Sequence, residues 1–392
     1  MNDFRKPRVA VVHHFFPHYR RAIVEKLSKS KIARFTFVGD NYDCQHGIKP
    51  AQFSSAVQFL HAPSRRLIGA FMWQWGAVRV ALSPKFDVII LHGVVYWISM
   101  WVAGILARIL GKQVFIWGHG YLYRPRGIKG FIRKIFYSIP QQHLLYGHRA
   151  KQFAIELGWP PQCLHVIYNS FNYREQIAAR QRVIPERLAE IRRTLFGDAR
   201  KKVVICTGRI IEIRRLDLLV QSIHLLNKSN QHVGLILIGD GPERVRLEAL
   251  ATELCVPVHF EGACYDENRI AELVMASTVT VAPGKVGLTA MHSMVYGIPV
   301  ITNDDLDDQM PESEAIIPGK TGSFFRKNDV AALANAMKYW LEIPNTSRTA
   351  YASCLAIIDR FWNPDYQCRA IERAVCGKCA DDLFDVREVD HG

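Results

Sequence analysis

The sequence predicts an α/β protein with two Rossmann-like domains. The chain has 392 residues, of which 49% are apolar, and this length suits two packed domains of ordinary size. Short buried-strand patterns also alternate with helical patterns, which is typical of parallel α/β sheets. We expect an N-terminal domain over residues 1–180, a C-terminal domain over 181–350, a helical segment over 351–376 and a tail over 377–392.

In the N-terminal domain, apolar runs that end in polar or glycine residues predict strands at residues 8–13, 87–92 and 113–119. A helix is expected from about Ala22 to Ser28. The apolar stretch over 88–110 starts like a strand, and His92 and Arg108 leave an uncharged span too short for the roughly 20 residues that a bilayer needs. We therefore expect no membrane-spanning helix there.

In the C-terminal domain, helical segments separate five apolar runs. The predicted strands begin near Val203, Val233, Val258, Val279 and Pro299. A helix with a break at Asn363-Pro364 follows, over about 353–376.

The positive charge is concentrated in the first half of the chain. Residues 44–155 contain 14 Lys and Arg and one acidic residue, Asp87, a net of +13 out of +14 for the whole protein. Five of the eight tryptophans lie in the same window, and tryptophan beside basic residues is typical of an anionic bilayer surface. Because no nucleic-acid-binding motif accompanies the charge, we expect a membrane surface or a lipid-linked substrate as the partner, and no nucleic acid.

Residues 127–137 form a predicted amphipathic helix. Its apolar side chains recur with helical spacing, and its basic side chains lie off that stripe. The stripe residues are Ile128, Phe131, Ile132, Ile135 and Phe136, and the basic residues are Arg126, Lys129, Arg133 and Lys134. Two interpretations stay open: an ordinary helix packed on the sheet, or a helix that lies in a membrane interface.

The cysteines and the N-terminus favour a cytoplasmic protein. Nine cysteines at irregular spacing, after a start without a signal-peptide pattern, fit a reduced compartment. The single C-x-x-C, Cys376 to Cys379, has no second ligand pair nearby, so we expect no zinc site and no cofactor.

Two glycine-containing turns predict an anion site. Over residues 203–217 a strand runs into Gly208-Arg209 and then Arg214-Arg215, and over 281–302 a strand, a glycine loop and a short helix precede a second strand. Backbone N–H groups and arginines at such turns suit phosphate groups. Two turns of this kind on one parallel sheet suggest a clamp for a diphosphate.

Three segments resemble the GT-B glycosyltransferases, specifically the large retaining family four. They are Gly208-Arg209-x-x-Glu212-x-Arg214-x-x-Asp217, Leu237-Ile-Gly-Asp-Gly-Pro-Glu243, and residues 283–300, in the family's order and spacing. The resemblance implies two Rossmann-like domains that face each other across a cleft, with the final helix returning to the first domain. The chain departs from the family's Glu-x7-Glu pair, because Gly284 and His292 occupy those positions.

The resemblance also implies roles for particular residues. The catalytic group consists of His119, which would contact the donor sugar, and Arg209 and Arg214, which would hold the leaving diphosphate without a required metal ion. The donor-binding group consists of Gly208, Gly241, Gly284, Lys285, Val286, Gly287, Leu288, His292 and Glu312. The turn after the first strand, with His18, Tyr19 and Arg20, would contact the acceptor.

Several of these residues have a second interpretation. His119 also fits a core or loop histidine, and Arg209 and Arg214 also fit solvated arginines on a surface turn. His292 either replaces the family's ribose-binding Glu or is a packing residue, and Glu312 either supplies that carboxylate or orders its loop. His92 is a weaker site candidate.

The sequence thus predicts a retaining glycosyltransferase that moves a sugar from a nucleotide-sugar to a lipid-linked saccharide acceptor. Its expected place is the inner face of the cell membrane, in bacterial surface polysaccharide assembly. Two alternatives stay open: a nucleotide-sugar epimerase or hydrolase of the same fold, and a non-catalytic membrane-associated binding protein.

Overall fold

The computed structural model describes residues 6–43, 48–343 and 346–379, which fall into two compact units. Unit 1 comprises Met1–Asn172 together with Phe361–Gly392, and unit 2 comprises Tyr173–Arg360. Each unit has its own parallel sheet with helices on it. The predicted class, α/β with two Rossmann-like halves, is confirmed.

Unit 1 is built on a seven-stranded sheet within the described ranges, in the order β3-β2-β1-β6-β7-β8-β9, with every pair parallel. A separate antiparallel hairpin joins β4 and β5. The strands are β1 Arg8–Phe15, β2 Arg34–Asp40, β3 Phe59–His61, β4 Ser64–Arg66, β5 Met72–Gln74, β6 Val88–His92, β7 Gln113–Gly118, β8 Gln142–Leu145 and β9 Leu164–Val166. The helices are α1 Arg21–Ser28, α2 Trp75–Leu82, α3 Ile98–Ile109, α4 Gly127–Ser138 and α5 His148–Glu156.

Unit 2 has a six-stranded parallel sheet within the described ranges, in the order β12-β11-β10-β13-β14-β15. The strands are β10 Val203–Thr207, β11 Gly234–Ile238, β12 Val258–Gly262, β13 Val279–Ala282, β14 Val300–Asn303 and β15 Gly322–Phe325. The helices are α6 Tyr173–Arg182, α7 Pro185–Phe196, α8 Leu216–Lys228, α9 Arg244–Glu253, α10 Glu267–Met275, α11 Thr289–Met294, α12 Val330–Glu342 and α13 Thr346–Arg360. Strands β10 and β11 are buried along their whole length, as expected of a sheet with helices on both faces.

The strand order creates a switch point in each sheet. In each unit the strands that follow the first strand, β1 or β10, are added to the sheet on both sides of it. Ligands of doubly wound sheets bind outside the carboxyl ends of the strands at this point. The loops after β1 and β6 in unit 1, and after β10 and β13 in unit 2, are therefore the first places to search for a site.

The unit boundaries differ from those expected at 180 and 350. Helix α6 belongs to unit 2 because it packs on α10, where Arg182 donates to Asn268 at 3.0 Å. The last helix, α14 (Pro364–Val375), belongs to unit 1. Its buried Gln367 donates to the Tyr168 carbonyl and accepts from the Ser170 hydroxyl, both at 2.7 Å.

Helix α4 does not pack through its apolar stripe. Gly130, Phe136 and Tyr137 are its buried residues, whereas Ile128 is 75% exposed and Phe131 64%. The interpretation of this stripe as a core-facing surface is therefore wrong, except at Phe136. The apolar stretch over 88–110 divides into β6 and α3, and no helix in the described ranges has the length and apolar character needed to span a bilayer.

Candidate functional site

In unit 2, glycines allow the backbones of the loops after β10 and β11 to approach each other closely beside the switch point. The Gly208 N–H donates to the Ile238 carbonyl at 2.7 Å, and the Ile210 N–H donates to the Asp240 carbonyl at 2.9 Å. A Cβ at Gly241 would lie 2.1 Å from the Ile210 carbonyl oxygen. A side chain at this position would therefore separate the loops that follow β10 and β11.

The loop after β13 joins the same assembly. The Gly284 N–H donates to the Arg214 carbonyl at 3.0 Å, and a Cβ at Gly284 would lie 2.1 Å from the Ile213 carbonyl oxygen. Gly284 stands where the family has the first Glu of its pair, and this close backbone approach excludes any side chain there. The structure thus gives a steric reason for the first departure from the family motif.

Arg214 and Arg209 differ in how they are held. The Arg214 guanidinium donates to the Thr207 carbonyl at 3.0 Å and to the Thr289 hydroxyl at 3.2 Å, so it joins the end of β10 to the start of α11. Arg209 is exposed and forms no ion pair in the described part of the chain. Both lie on the loop that follows β10, and Arg209 has the more accessible charge.

Gln309 holds the glycine loop, and sequence reasoning missed it. Its side chain is buried, donates to the Gly284 carbonyl at 3.0 Å and accepts from the Val286 N–H at 2.9 Å. The N–H groups of Gly284 and Val286 are thus engaged within the protein. Those of Lys285, Gly287 and Leu288 have no acceptor among the described residues. The loop therefore offers an anion fewer donors than expected from its sequence.

Lys285 is paired inside the protein. Its ammonium lies 2.7 Å from Asp308, and Lys327 lies 2.9 Å from the same carboxylate. The hydrogen bond from Lys285 is the largest cause that lowers the pKa of Asp308. The Lys285 charge is therefore largely balanced within the protein.

His292 contacts the carboxylate of Glu267, a residue that the family motifs did not indicate. Its Nε2 donates to Glu267 at 2.7 Å, and the Tyr296 hydroxyl donates to the same oxygen. Burial raises the pKa of Glu267, but the hydrogen bonds from His292 and Tyr296 and the charge of His292 outweigh it and lower this pKa. Nδ1 is the second ring nitrogen of His292 that can form a hydrogen bond.

Glu267 lies at the start of a helix. It is the first residue of α10, directly after the helix cap Asp266, whose side chain accepts from the Asn268 N–H. The other candidate carboxylate, Glu312, is only 2% exposed in the short 3-10 helix Pro311–Ala315. Of the two, Glu267 is the carboxylate in contact with His292.

Unit 1 brings a second group of predicted residues to one edge of its sheet. Strands β1, β6, β7 and β8 are neighbours, and their carboxyl ends carry His13, His92, Trp117 with His119, and Tyr146. Arg20 reaches this edge from the short 3-10 helix His18–Arg20. Its guanidinium lies 5.3 Å from the Trp117 ring centre and within 3.2 Å of His13.

The side chains of the three predicted acceptor residues contact different parts of unit 1. Arg20 enters the histidine edge, whereas His18 donates from Nδ1 to the Lys49 carbonyl at 3.3 Å. The Tyr19 ring lies 6.3 Å from Phe171. The structure therefore brings together Arg20 and His119, and it places His18 and Tyr19 in contact with other parts of unit 1.

The histidines of this edge are neutral at physiological pH. Burial, followed by the charge of Arg20, lowers the pKa of His119 to about 4. Burial and then the charge of Arg20 are also the two largest causes that lower the pKa of His13 well below its ordinary value. Burial and then the neighbouring His14 depress the pKa of His92 in the same direction. Among the described residues, this edge thus combines the Arg20 cation with several uncharged imidazoles.

No group of three or more His, Cys, Asp or Glu side chains in the described ranges is arranged to hold a metal ion. Among the described residues, Arg209 and Arg214 in unit 2 and Arg20 in unit 1 are cations that could meet an anionic ligand.

Comparisons with known proteins bear on both units. Residues 189–353, in unit 2, match the family model described as "Glycosyl transferases group 1". The match covers less than half of the chain, so it shows that unit 2 is similar to this family. The resemblance to the GT-B glycosyltransferases that the motifs indicated is thereby confirmed.

Two curated mycobacterial proteins are similar to part of this chain. One is the GDP-mannose-dependent alpha-(1-6)-phosphatidylinositol dimannoside mannosyltransferase of Mycobacterium tuberculosis, with 30% identity over 30% of this chain and 31% of that protein. The other is the corresponding monomannoside mannosyltransferase of Mycolicibacterium smegmatis, with 25% identity over 44% of this chain and 46% of that protein. The matches span less than half the length of either relative.

Solved structures share the fold over nearly the whole chain. Anabaena HepE in complex with UDP has a TM-score of 0.69 at 15% identity and covers 95% of this chain and 100% of its own. The lipopolysaccharide outer core galactosyltransferase WaaB, in its apo form, has a TM-score of 0.68 at 15% identity and covers 94% and 99%. At these identities the likeness establishes the GT-B fold.

The contact between His292 and Glu267 generates a prediction about the nucleotide. The resemblance implies that His292 replaces the family's ribose-binding Glu. His292→Ala should then weaken binding of UDP as a probe nucleotide and leave the fold intact, whereas Glu267→Gln should weaken it less because an amide oxygen still accepts from Nε2. The measurement is calorimetric titration with UDP, with melting temperatures as the folding check. Unchanged UDP affinity in both variants would make His292 a packing residue.

The buried histidines generate a prediction about acid stability. Burial lowers the pKa of His143 to about 3 and that of His119 to about 4. The unfolded chain binds these protons near pH 6.5 and the folded protein does not, so the free energy of unfolding should fall as the pH drops from about 6.5 to 4.

Denaturant unfolding at several pH values tests this. His143→Phe should reduce the pH slope by about one proton, or roughly 1.4 kcal/mol per pH unit. The exposed His232 offers a control variant, His232→Asn, at a positive φ that Asn tolerates. An identical slope in wild type and His143→Phe contradicts the prediction.

Proposed function

We propose that the protein transfers a sugar from a nucleotide-sugar to a lipid-linked saccharide acceptor, with retention of anomeric configuration and without a required metal ion. The observation that carries this proposal is the assembly of loops at the switch point of unit 2. There Arg209 and Arg214 stand in a segment that matches the group 1 family. Neighbours of the same fold were solved with UDP or UDP-glucose, which supports a nucleotide-sugar donor.

In the proposed reaction, unit 2 binds the nucleotide diphosphate. The acceptor hydroxyl oxygen bonds to the anomeric carbon while the bond from that carbon to the diphosphate oxygen breaks, and the acceptor proton passes to the leaving diphosphate. The charge on the leaving group increases in this step, so fixed cations that meet it stabilise the transition state. No protein nucleophile is needed, which suits a loop that carries Gly284 in place of a Glu.

We further propose that unit 1 lies on the anionic inner face of the cell membrane, as a peripheral protein of surface polysaccharide assembly. The exposed stripe of α4 supports this, because Ile128, Phe131, Ile132 and Ile135 are all exposed in the same helical turns as the exposed Arg126, Lys129 and Lys134. Apolar side chains flanked by basic ones are what an interfacial helix presents to anionic lipid. Both similar mycobacterial proteins are named for phosphatidylinositol mannoside substrates.

The two alternatives differ in measurable ways. An epimerase or hydrolase of this fold consumes nucleotide-sugar without acceptor lipid, a binding protein consumes none, and a transferase needs both substrates. Turnover of UDP- and GDP-sugars with and without a polyprenyl-linked saccharide extract therefore separates the three functions.

The arginine loop generates a prediction about turnover. Arg209→Ala should lower kcat by roughly 10²–10³, the range found when one preorganised charge-stabilising donor is removed, with an unchanged melting temperature. Arg214→Ala should lower kcat and also the melting temperature, because it breaks the hydrogen bonds to Thr207 and Thr289. Steady-state kinetics and thermal melts measure this, with the exposed α7 variant Arg193→Ala as control. Full activity of Arg209→Ala would remove this residue from the site.

Helix α4 generates a prediction about membranes. The protein should sediment with phosphatidylglycerol vesicles, and salt should weaken this binding because each basic residue near the surface contributes about 1 kcal/mol that ions screen. The double variant Ile128→Ser with Phe131→Ser should lose the salt-resistant part, which comes from buried apolar area.

A control of matched exposure is Val245→Ser on α9 of unit 2, where the side chain is 76% exposed. Its binding should equal that of wild type. Equal and negligible sedimentation of the wild type with anionic and neutral vesicles would contradict the membrane proposal.

A further inference from the structure

Arg20 is a partly buried cation whose protein partners are uncharged. Its Nη1 lies 3.2 Å from His13 Nδ1 and 3.1 Å from Nε2, and its Nη2 donates to the Tyr146 hydroxyl. The guanidinium also lies over the Trp117 and Tyr146 rings, at 5.3 and 5.8 Å from their centres. In the described part of the chain these groups surround Arg20, and none of them is a carboxylate.

This arrangement leaves the charge of Arg20 uncompensated in a partly desolvated place. Taking a cation out of water is costly unless a counter-charge and hydrogen bonds replace the lost hydration. Neutral His13 supplies a weak partner, and the aromatic rings supply cation–π contact. The guanidinium has five donors in a rigid fork, and its described partners are two side chains.

Polar atoms near Arg20 also lack partners. Both ring nitrogens of His92, which is 2% exposed, have no hydrogen-bond partner among the described residues. The same holds for the indole nitrogen of Trp117 and for Nδ1 of His119. The His92 ring stacks 6.0 Å from His13, the imidazole that contacts Arg20. Buried polar atoms in native proteins nearly all find partners, so several in one cluster indicate a polar ligand.

We propose that Arg20, His119, His92 and Trp117 form a binding site for a small oxyanion, a phosphate or carboxylate group carried by the acceptor. A guanidinium fork matches the two oxygens of such a group. The indole N–H and the imidazoles then supply further hydrogen bonds. The acceptor role rests on the proposed function, whereas oxyanion binding itself requires no turnover and is tested without it.

The test measures binding of radiolabelled inorganic phosphate to the full-length protein by equilibrium dialysis at constant ionic strength. Because the arginine loop of unit 2 also attracts phosphate, Arg209→Gln serves as the background for every variant. In that background Arg20→Gln should weaken phosphate binding about tenfold or more, the loss expected for a charge-assisted hydrogen bond. Arg20→Lys should retain part of the affinity.

The neighbouring Arg21 provides the matched control, because it forms its own ion pair with Glu25 at 3.3 Å. Arg21→Gln should leave phosphate binding unchanged. If Arg20→Gln fails to fold, as judged by circular dichroism, Trp117→Phe removes one donor and should still weaken binding several-fold. Phosphate affinity that is equal with and without the Arg20 guanidinium, or no binding in wild type, overturns the proposal.

Excess UDP distinguishes the two sources of an oxyanion. Phosphate that stays bound at Arg20 in the presence of UDP supports the acceptor as the source. Phosphate that UDP displaces in the Arg209→Gln background overturns this assignment in favour of the donor diphosphate. The proposed function fails separately, if no nucleotide-sugar is consumed while the Arg20 site still binds phosphate.

Discussion

The close approach of two backbones is the constraint on which the site of unit 2 depends. Gly284 donates to the Arg214 carbonyl, and a Cβ on Gly284 would collide with the Ile213 carbonyl oxygen. A carboxylate at this position, as in the family motif, has no room. The rest of the loop adapts to this contact, because Gln309 binds both Gly284 and Val286 and holds the chain between them.

Loss of the family's carboxylate pair has different causes at its two positions. At Gly284 a side chain has no room. At His292 the carboxylate comes instead from Glu267 on the neighbouring helix α10. Glu267 on α10 accepts from His292 and Tyr296, so a negative charge remains near α11 although its own sequence has none. The lowered pKa of Glu267 keeps this carboxylate ionised at physiological pH.

Unit 1 combines two kinds of surface that its charge pattern alone does not distinguish. Arg20 lies among buried rings at the carboxyl edge of the sheet, whereas Lys129 and Lys134 of α4 are exposed beside an exposed apolar stripe. The first environment suits one oxyanion held in place, and the second suits a diffuse anionic surface. Both proposals follow from the surroundings of the charges, since a net of +13 over 112 residues is compatible with either.

The sequence by itself determined the two-domain α/β class, the positions of β1, β6, β7 and of β10 to β14, and the arginine and glycine turns, because apolar periodicity and turn residues act locally. Only the tertiary structure decided which donors remain for a ligand: Gln309 binds the Val286 N–H, Asp308 pairs with Lys285, and Glu267 contacts His292. It also decided that α4 packs through Gly130 and Phe136 and leaves its stripe exposed. These outcomes depend on contacts between residues distant in sequence, and a local pattern shows which side chains share a face but not what covers it.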